Sequence, residues 1–332
     1  MVKYIVKRLA IALLVLFGVS VIIYTLVRFM PTDFVDQKYL PLINSGQMDP
    51  ERLVELKELY GLADRSFVGL VKGYCKWAGN LLHGDLGISF YYQLPVGQVI
   101  FQNMGISFML AFVSLVLEFL IAVPLGIKAA THQYGFVDYS ATVLSMIGIS
   151  LPSFFLGAIF IRFFSVELGW FPVNGLSSSD LPNDASQWVI FWDKAWHLVL
   201  PMMVLVILSI GSLMRYTRTN TLEVLNADYI RTARAKGVSE HSVIYKHAFR
   251  NTMIPLVTML AGTLPGLFGG AMITEQVFSI PGIGQKAYVA LQQGDIPFIM
   301  GYNMFLAVLT VIGTLLSDLM YAVVDPRVKL TK

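Results

Sequence analysis

Long apolar segments separated by polar stretches are the dominant pattern along this chain. Six of them approach the roughly 20 residues that a helix needs to cross about 30 Å of hydrocarbon: 9–27, 104–127, 139–161, 198–214, 251–274 and 296–317. The second segment contains one charge, Glu118, and the other five contain none. A large soluble helical protein would also bury apolar helices, but six such segments in one chain favour membrane spans. We therefore predict an all-α integral membrane protein with six transmembrane helices.

Composition and the first apolar segment agree with this prediction. Only 14% of the 332 residues are charged, whereas soluble domains average about a quarter. Segment 9–27 is longer than the apolar part of a secretory signal peptide, and no small-residue cleavage site follows it, so we expect a retained helix. The single cysteine, Cys75, excludes an intrachain disulfide, and we expect it to pack as a small apolar side chain.

The distribution of basic residues predicts how the chain is oriented in the membrane. If the N-terminus is cytoplasmic, six crossings return the C-terminus to the cytoplasm, and the inside segments then contain fourteen Lys and Arg residues. Apart from Arg28 at the end of the first segment, the outside segments contain nine, and six of these are spread over one long loop that can translocate regardless of its charge. We therefore predict a multi-pass component of the cytoplasmic membrane with both termini in the cytoplasm.

These patterns divide the chain into four predicted regions. They are a cytoplasmic N-terminus with the first transmembrane helix (1–30), an extracytoplasmic subdomain (31–103), a five-helix core (104–325) and a cytoplasmic tail (326–332). The subdomain contains DPERLVELKELYGL, where Asp49 can cap a helix, Pro50 suits its first turn and Gly61 follows its end. The Gly and Pro residues of the outer loop 275–297 favour a folded re-entrant or surface hairpin.

A basic stretch interrupts the apolar pattern within the predicted inside loop, 215–250. Residues 229–251 include five basic residues and one acidic residue, namely Arg231, Arg234, Lys236, Lys246, Arg250 and Glu240. Asn226 can cap a short helix that Gly237 ends, and Ser239 can cap a second helix that extends to about Arg250. Ala233 and Gly237 are four residues apart, so they share a helix face that another protein could approach closely. The pattern fits a helix docked on a soluble partner or a solvated cytoplasmic loop.

The sequence of this loop resembles the coupling loop of a known transporter family. NADYIRTARAKGVSEHSVIYKHAFRNTMIPLVT is similar to the cytoplasmic coupling loop of the dipeptide/oligopeptide/nickel ABC importer permeases. The motifs ELYGL, GDLGIS, PSFFLGAIFI, LGWFPVNG, HLVLPMMVL, EQVFSIPGIGQKAY and DLMYAVVDPRVK extend the resemblance over nearly the whole chain, in the family's order. The chain is most similar to the subunit with the large first outer loop. It departs from the family at RFMPTDF, where a Pro-Gly-Asp-Pro is usual.

The resemblance implies a type I ABC importer permease fold that forms half of a transmembrane pathway for di- or oligopeptides. The implied partners are a second similar permease, two cytoplasmic ATPase subunits and an extracytoplasmic substrate-binding protein. ATP and Mg²⁺ would bind to the ATPases, and this chain would be neither an enzyme nor a cofactor-binding protein. By position, the ATPase-coupling residues are Arg231, Ala233, Arg234, Ala235, Lys236, Gly237 and Glu240. The outer-loop contact residues are Pro281, Gly282 and Gly284.

Charges and prolines within the apolar segments have several possible roles. A charge at the depth of Glu118 is expensive in lipid. Glu118 can line the substrate pathway and meet an amine of the peptide, it can bond a neighbouring helix, or it can lie nearer the interface if the helix is shifted. Arg162 ends the third segment, where its side chain can extend to the membrane surface. Pro124 and Pro152 can bend the helices that contain or adjoin them.

Other classes of protein are less well supported by the sequence. It lacks the G-x-x-x-x-G-K-[ST] phosphate loop of ATPases and the G-x-S-x-G pattern of hydrolases. The five histidines are scattered and predict no metal site, and the basic stretch is too short and too close to the membrane for a nucleic-acid surface. Three alternatives remain: an importer of nickel or another small solute, an ion-gradient-driven secondary transporter, and a membrane sensor or scaffold. A secondary transporter usually needs paired intramembrane charges.

Overall fold

The computed structural model describes residues 2–30, 33–59, 62–64, 66–182 and 184–324. This part of the chain is almost entirely helical, and its only β-structure is an isolated bridge between Ile88 and Pro95. The helices are α1 (Val2–Arg28), α2 (Phe34–Asn44), α3 (Pro50–Leu59), α4 (Phe67–Leu82), α5 (Val96–Thr131), α6 (Phe136–Ser150), α7 (Ser153–Phe160), α8 (Gln187–Leu225), α9 (Asp228–Ala235), α10 (Glu240–Ser242), α11 (Phe249–Gly269), α12 (Met272–Val277), α13 (Ile283–Gln292) and α14 (Ile296–Val324). The all-α prediction is therefore confirmed.

Four of these helices are long and apolar enough to cross a membrane: Val6–Arg28, Val96–Thr131, Gln187–Leu225 and Ile296–Leu316. They contain the first, second, fourth and sixth segments found in the sequence. The fifth segment corresponds to α11, whose 21 residues rise about 1.5 Å each and therefore reach about 30 Å. The number of crossings, six, stays a prediction because the third segment has a different geometry.

The third apolar segment forms two helices instead of one straight span. Helix α6 and the helix that begins at Ser153 meet at an angle of 103°. Pro152 lies between them, and it keeps Leu151 in an extended conformation with φ −88° and ψ 130°. The second helix continues beyond α7 as a π-helical segment, Ile161–Glu167. The bend expected at Pro152 is confirmed, whereas Pro124 lies within an unbroken α5.

Helix α8 packs tightly against α5 and α6 at two positions where one of the two facing residues is glycine. A Cβ atom on Gly126 of α5 would lie 2.7 Å from the Cβ atom of Thr217, and one on Gly211 would lie 2.5 Å from that of Ser145 in α6. Small residues allow helix backbones to approach closely within a membrane. Arg218 of α8 also makes a two-pronged ion pair with the buried Asp138 of α6, with N–O distances of 2.6 and 2.7 Å.

Helices α2, α3 and α4 belong to the region that the sequence predicts to be an extracytoplasmic subdomain, and we call this predicted outer side the outer end. Helix α3 begins at Pro50, and the Asp49 carboxylate accepts a hydrogen bond from the backbone N–H of Glu51, as the sequence predicted. Gly61 lies outside the described residues. Lys57 of α3 contacts Asp36 of α2 at 2.6 Å. An apolar cluster then joins this subdomain to α1 and α14.

Candidate functional site

The predicted inside loop folds onto its own chain through a short helix. Ile230 of α9 is fully buried against Val243 and Ala248, which belong to the helical segment that follows the loop. This apolar anchor fixes the position of α9, since a buried aliphatic side chain is held by close packing on all sides. The N-cap position of α9 is Ala227, without a side-chain hydrogen bond, so the predicted cap at Asn226 is wrong; Asn226 instead follows the end of α8.

A tight turn after α9 presents small residues to solvent. Gly237 has φ +76°, the left-handed conformation that favours glycine at a helix end, and an added Cβ atom there would meet no atom within 4 Å. Ala235 and Lys236 are also exposed. Ala233 differs from the expectation because it is partly buried against the chain's own Ile230 cluster. The exposed small surface is therefore the turn at 235–237 and not the predicted face that Ala233 and Gly237 share.

Two charged residues predicted in this loop bind each other across the turn. The Arg234 guanidinium donates to both carboxylate oxygens of Glu240, at 2.6 and 3.1 Å. These hydrogen bonds hold the pKa of Glu240 below its usual value. Arg231 is largely exposed and lies 3.5 Å from Asp228, one helical turn earlier. The pair at 234 and 240 therefore stabilises the turn, while Arg231 and Lys236 project into solvent.

The loop is shorter than the sequence pattern suggested, because both flanking helices extend into it. Helix α8 runs to Leu225, and the second predicted loop helix does not stop near Arg250. From Glu240 the chain continues through a π-helical segment, Val243–Ala248, directly into α11. The connection that is not part of a long helix thus spans 226–239. A displacement of this connection would act directly on α11.

Glu118 lies beside a cavity between α5, α8 and α11. The cavity has a volume of about 480 Å³, and its polar lining comes from Glu118, Ser114, Ser209 and Ser212. Glu118 is half-buried, and Ser209, whose hydroxyl donates to the Leu205 carbonyl at 2.6 Å, lines the same cavity. The rest of the lining is apolar or glycine, including Gly266 and Gly270 of the α11 end. Such a space can hold a small polar group of a ligand within otherwise apolar surroundings.

The predicted outer loop after α11 is a compact pair of short helices built around a buried carboxylate. Glu275 of α12 is fully buried and accepts hydrogen bonds from the Ser107 hydroxyl at 2.7 Å and from the backbone N–H groups of Ala271 and Gln285, each at 2.9 Å. Gly282 and Gly284 are buried against this carboxylate, where a side chain would collide with it. The folded hairpin is as the sequence predicted, but these two glycines face the interior. Pro281 is half-buried.

A second buried carboxylate, Asp295, was not singled out by the sequence analysis. It lies at the start of α14 and accepts backbone hydrogen bonds from Phe90 at 3.1 Å, Tyr91 at 3.0 Å and Phe298 at 3.2 Å, and a further one from the Ser89 hydroxyl. It therefore caps α14 and holds the segment before α5. An Asp just before a long apolar helix is the signal that could have revealed the capping role.

The comparisons with known proteins agree with this arrangement. Residues 122–330, more than half of the chain, match the family described as binding-protein-dependent transport system inner membrane component. The chain belongs to this family. It is thus a multi-pass membrane component of an ABC transport system. The family implies ATPase and substrate-binding partners, and this chain is a permease subunit of such a system.

Relatives of similar length support the same assignment. The chain is 37% identical to the oligopeptide transport system permease protein AppB of Bacillus subtilis (strain 168), over 99% of this chain and 100% of that protein. It is 36% identical to a putative peptide permease protein of Brucella suis biovar 1 (strain 1330), over all of both chains. The inward-facing MetNI methionine ABC transporter has a similar fold, with a TM-score of 0.53 and 19% identity over 69% of this chain and 97% of that one.

Proposed function

We propose that this chain is a permease subunit of an ATP-driven importer and forms half of a transmembrane pathway for di- and oligopeptides. The observation that carries the proposal is the end-to-end similarity to permeases of peptide transport systems, at 37% and 36% identity. Within the described residues, Glu118 is the acidic group beside the intramembrane cavity, whereas an ion-driven transporter usually has several paired charges there.

The complete transporter would contain a second similar permease, two cytoplasmic ATPase subunits and an extracytoplasmic substrate-binding protein. ATP and Mg²⁺ would bind to the ATPase subunits. The N-terminus, the 226–239 connection and the C-terminal tail would be cytoplasmic, as the distribution of basic residues favours. The α2–α4 subdomain and the α12–α13 hairpin would then lie on the outer side, with Pro281 as the residue of the hairpin loop available to the binding protein.

The loop at α9 would be the mechanical link to an ATPase subunit. The residues assigned to this contact are Arg231, Ala233, Arg234, Ala235, Lys236, Gly237 and Glu240. The exposed turn at 235–237 would make the closest approach, with Ala233 supporting it from inside. A push on the turn would reach α11 through the buried Ile230 anchor and through the continuous helix that begins at Glu240. Rigid coupling of this kind suits a transporter that rocks between two states.

A bulky substitution on the exposed turn tests the coupling role. Ala235→Trp adds volume at a solvent-exposed helical position, so it should leave the fold intact and block the approach of an ATPase. Gln133→Trp is the matched control, because Gln133 is also exposed and lies in the predicted inside loop between α5 and α6. We expect Ala235→Trp to abolish ATP-dependent uptake of labelled peptides in proteoliposomes that contain the whole transporter, and also to prevent copurification of the ATPases.

The result that would overturn the coupling role is full uptake by correctly inserted Ala235→Trp.

A separate uptake experiment tests the energy source of the wild-type transporter. Uptake should require ATP and the binding protein, and it should persist when ionophores remove all ion gradients. Uptake driven by an ion gradient without ATP would instead establish the secondary transporter.

Glu118 would line the pathway, and its solvent access provides the test. Since Cys75 is the single native cysteine, Glu118→Cys in a Cys75→Ser background places one thiol at the cavity. A charged, membrane-impermeant thiol reagent should modify this cysteine, and the rate should change when ATP and vanadate trap the transporter. Leu120→Cys is the matched control on the same helix, because Leu120 is 64% exposed but does not line the cavity. Equal, slow labelling of both positions would exclude Glu118 from the pathway.

A further inference from the structure

Helix α4 lies along the outer end of α1 and is attached to it by aromatic side chains. The Tyr74 hydroxyl is 2.9 Å from the Ser20 hydroxyl, and the ring of Tyr24 in α1 is 5.6 Å from Tyr74 and 5.8 Å from Trp77. Gly73 lets the Tyr24 hydroxyl approach the backbone of α4. Clusters of Tyr and Trp are typical of the boundary between hydrocarbon and water. This cluster favours a position of α4 at the membrane boundary.

A groove between α1 and α4 opens onto the same surface as the apolar side of α1. It has a volume of about 340 Å³ and an almost wholly apolar lining: Val21, Tyr24, Thr25, Phe29, Phe67, Leu70, Val71 and Tyr74. At its rim, Phe67 is 81% exposed and Val68 is 59% exposed. Exposure on this scale is costly in water but normal for side chains that lie in hydrocarbon. The groove is thus continuous with the part of α1 that faces lipid.

A second cavity, of about 440 Å³, lies on the other side of Tyr24 and has a different chemistry. Arg28 and Lys76 contribute positive charge to its lining, and Asn80 contributes an amide. The rest of the lining is mostly apolar and includes Trp77 and Phe90. This cavity therefore suits an amphiphilic ligand that brings an anionic group to Arg28 and Lys76.

We propose that the two cavities together bind one phospholipid with an anionic headgroup, at the outer surface of the membrane. The headgroup phosphate would lie near Arg28 and accept a hydrogen bond from Lys76, while an acyl chain would occupy the groove between α1 and α4. Basic pockets beside transmembrane helices are suited to lipid headgroups, and the adjoining apolar groove selects an amphiphile over a free anion. The bound lipid would attach the α2–α4 subdomain to the membrane. The site does not depend on the coupling role of α9.

Native mass spectrometry of the purified full-length protein tests the site with two lipids of equal chain length, phosphatidylglycerol and phosphatidylcholine. The wild type should retain phosphatidylglycerol preferentially. Lys76→Glu should weaken its binding by about fivefold or more, and Lys194→Glu should leave it unchanged, because Lys194 is an exposed lysine at the start of α8. Val71→Trp, which fills the groove, should reduce binding of both lipids. Size-exclusion profiles would confirm that each variant is folded.

Two results would overturn the proposal. One is a Lys76→Glu variant that retains phosphatidylglycerol as well as the wild type does. The other is a crosslink to a second polypeptide from a photo-crosslinking side chain at Val68 in native membranes, which would show that the groove is a protein interface. The proposal expects this side chain to label lipid.

Discussion

Glu275 is a carboxylate enclosed by hydrogen-bond donors of its own chain. Removing it by Glu275→Ala would leave the Ser107 hydroxyl and two backbone N–H groups without their acceptor, and each unsatisfied buried donor costs about 1–3 kcal/mol. We expect a loss of stability on the order of 3 kcal/mol or more. Thermal unfolding in detergent, followed by fluorescence-detected size exclusion, would measure the effect.

Gln285→Ala is the matched control for this prediction, because Gln285 binds Glu275 only through its backbone N–H. Ser107→Ala should be intermediate. It removes one donor to the carboxylate, and it also removes the acceptor of the Ile283 backbone N–H, which lies 2.9 Å from the Ser107 hydroxyl. Equal unfolding temperatures for Glu275→Ala and Gln285→Ala would contradict the structural role assigned to the carboxylate.

Single residues were predictable from sequence only where their partner is near in the chain. Asp49 and Pro50 marked the start of α3 because capping depends on the next few residues. The partner of Glu275 is 168 residues away at Ser107, and two backbone partners of Asp295, Phe90 and Tyr91, are 205 and 204 residues away. No periodicity connects such pairs. The resemblance drew attention to the outer loop, but it did not indicate that Gly282 and Gly284 pack inside.

At the scale of elements, the turn after α9 depends on the Arg234–Glu240 pair. Glu240→Gln should loosen the turn with little effect on global stability, since an exposed ion pair contributes below about 1 kcal/mol. We expect faster hydrogen exchange of the amides at 236–243 and an unchanged unfolding temperature at neutral pH. Glu223→Gln, in the last turn of α8, is the control and should leave these amides unaffected.

The same pair predicts a pH dependence with a defined sign. Hydrogen bonds from Arg234 lower the pKa of Glu240 from its usual 4.5. The contribution of the pair is therefore fully present above that value and is lost as the pH falls through the lowered pKa. The difference in exchange between wild type and Glu240→Gln should shrink as the pH is reduced below 4.5. A difference that stays constant over this range would show that the charge of Glu240 does not hold the turn.

Helix lengths show what an apolar pattern can and cannot predict. The fourth apolar segment has 17 residues, 198–214, but α8 has 39. Hydropathy locates the part of a helix that lies in hydrocarbon, whereas the polar ends continue the helix because no Gly or Pro interrupts them before Leu225. For the same reason the loop at 215–250 was predicted too long. The bend at Pro152 was predictable because proline acts locally on the backbone.

At the scale of the whole molecule, Asp295 joins the segment between α4 and α5 to the start of α14. Asp295→Ala should release residues 89–91 from the start of α14, because the backbone N–H groups of Phe90 and Tyr91 would lose their acceptor. We expect much faster hydrogen exchange at 86–95 and new protease cleavage there. Gln292→Ala, at an exposed position three residues earlier, is the control. Protection at 86–95 that matches the wild type would mean that other contacts hold this segment.

The π-helical segment Val243–Ala248 lies between the loop and α11. A π-turn contains one residue more than an α-helical turn over the same path, and each residue of an α-helix turns the chain by about 100°. A one-residue deletion in this segment would therefore restore regular α-helical winding and leave the direction of the loop unchanged. A one-residue deletion in the regular part of α11 would instead swing everything before it by about 100° around the helix axis. The exposed side of the turn at 235–237 would then point in another direction although every side chain in it was unchanged. The direction in which this chain presents the turn is therefore encoded in a residue count, separately from the chemistry of the turn itself.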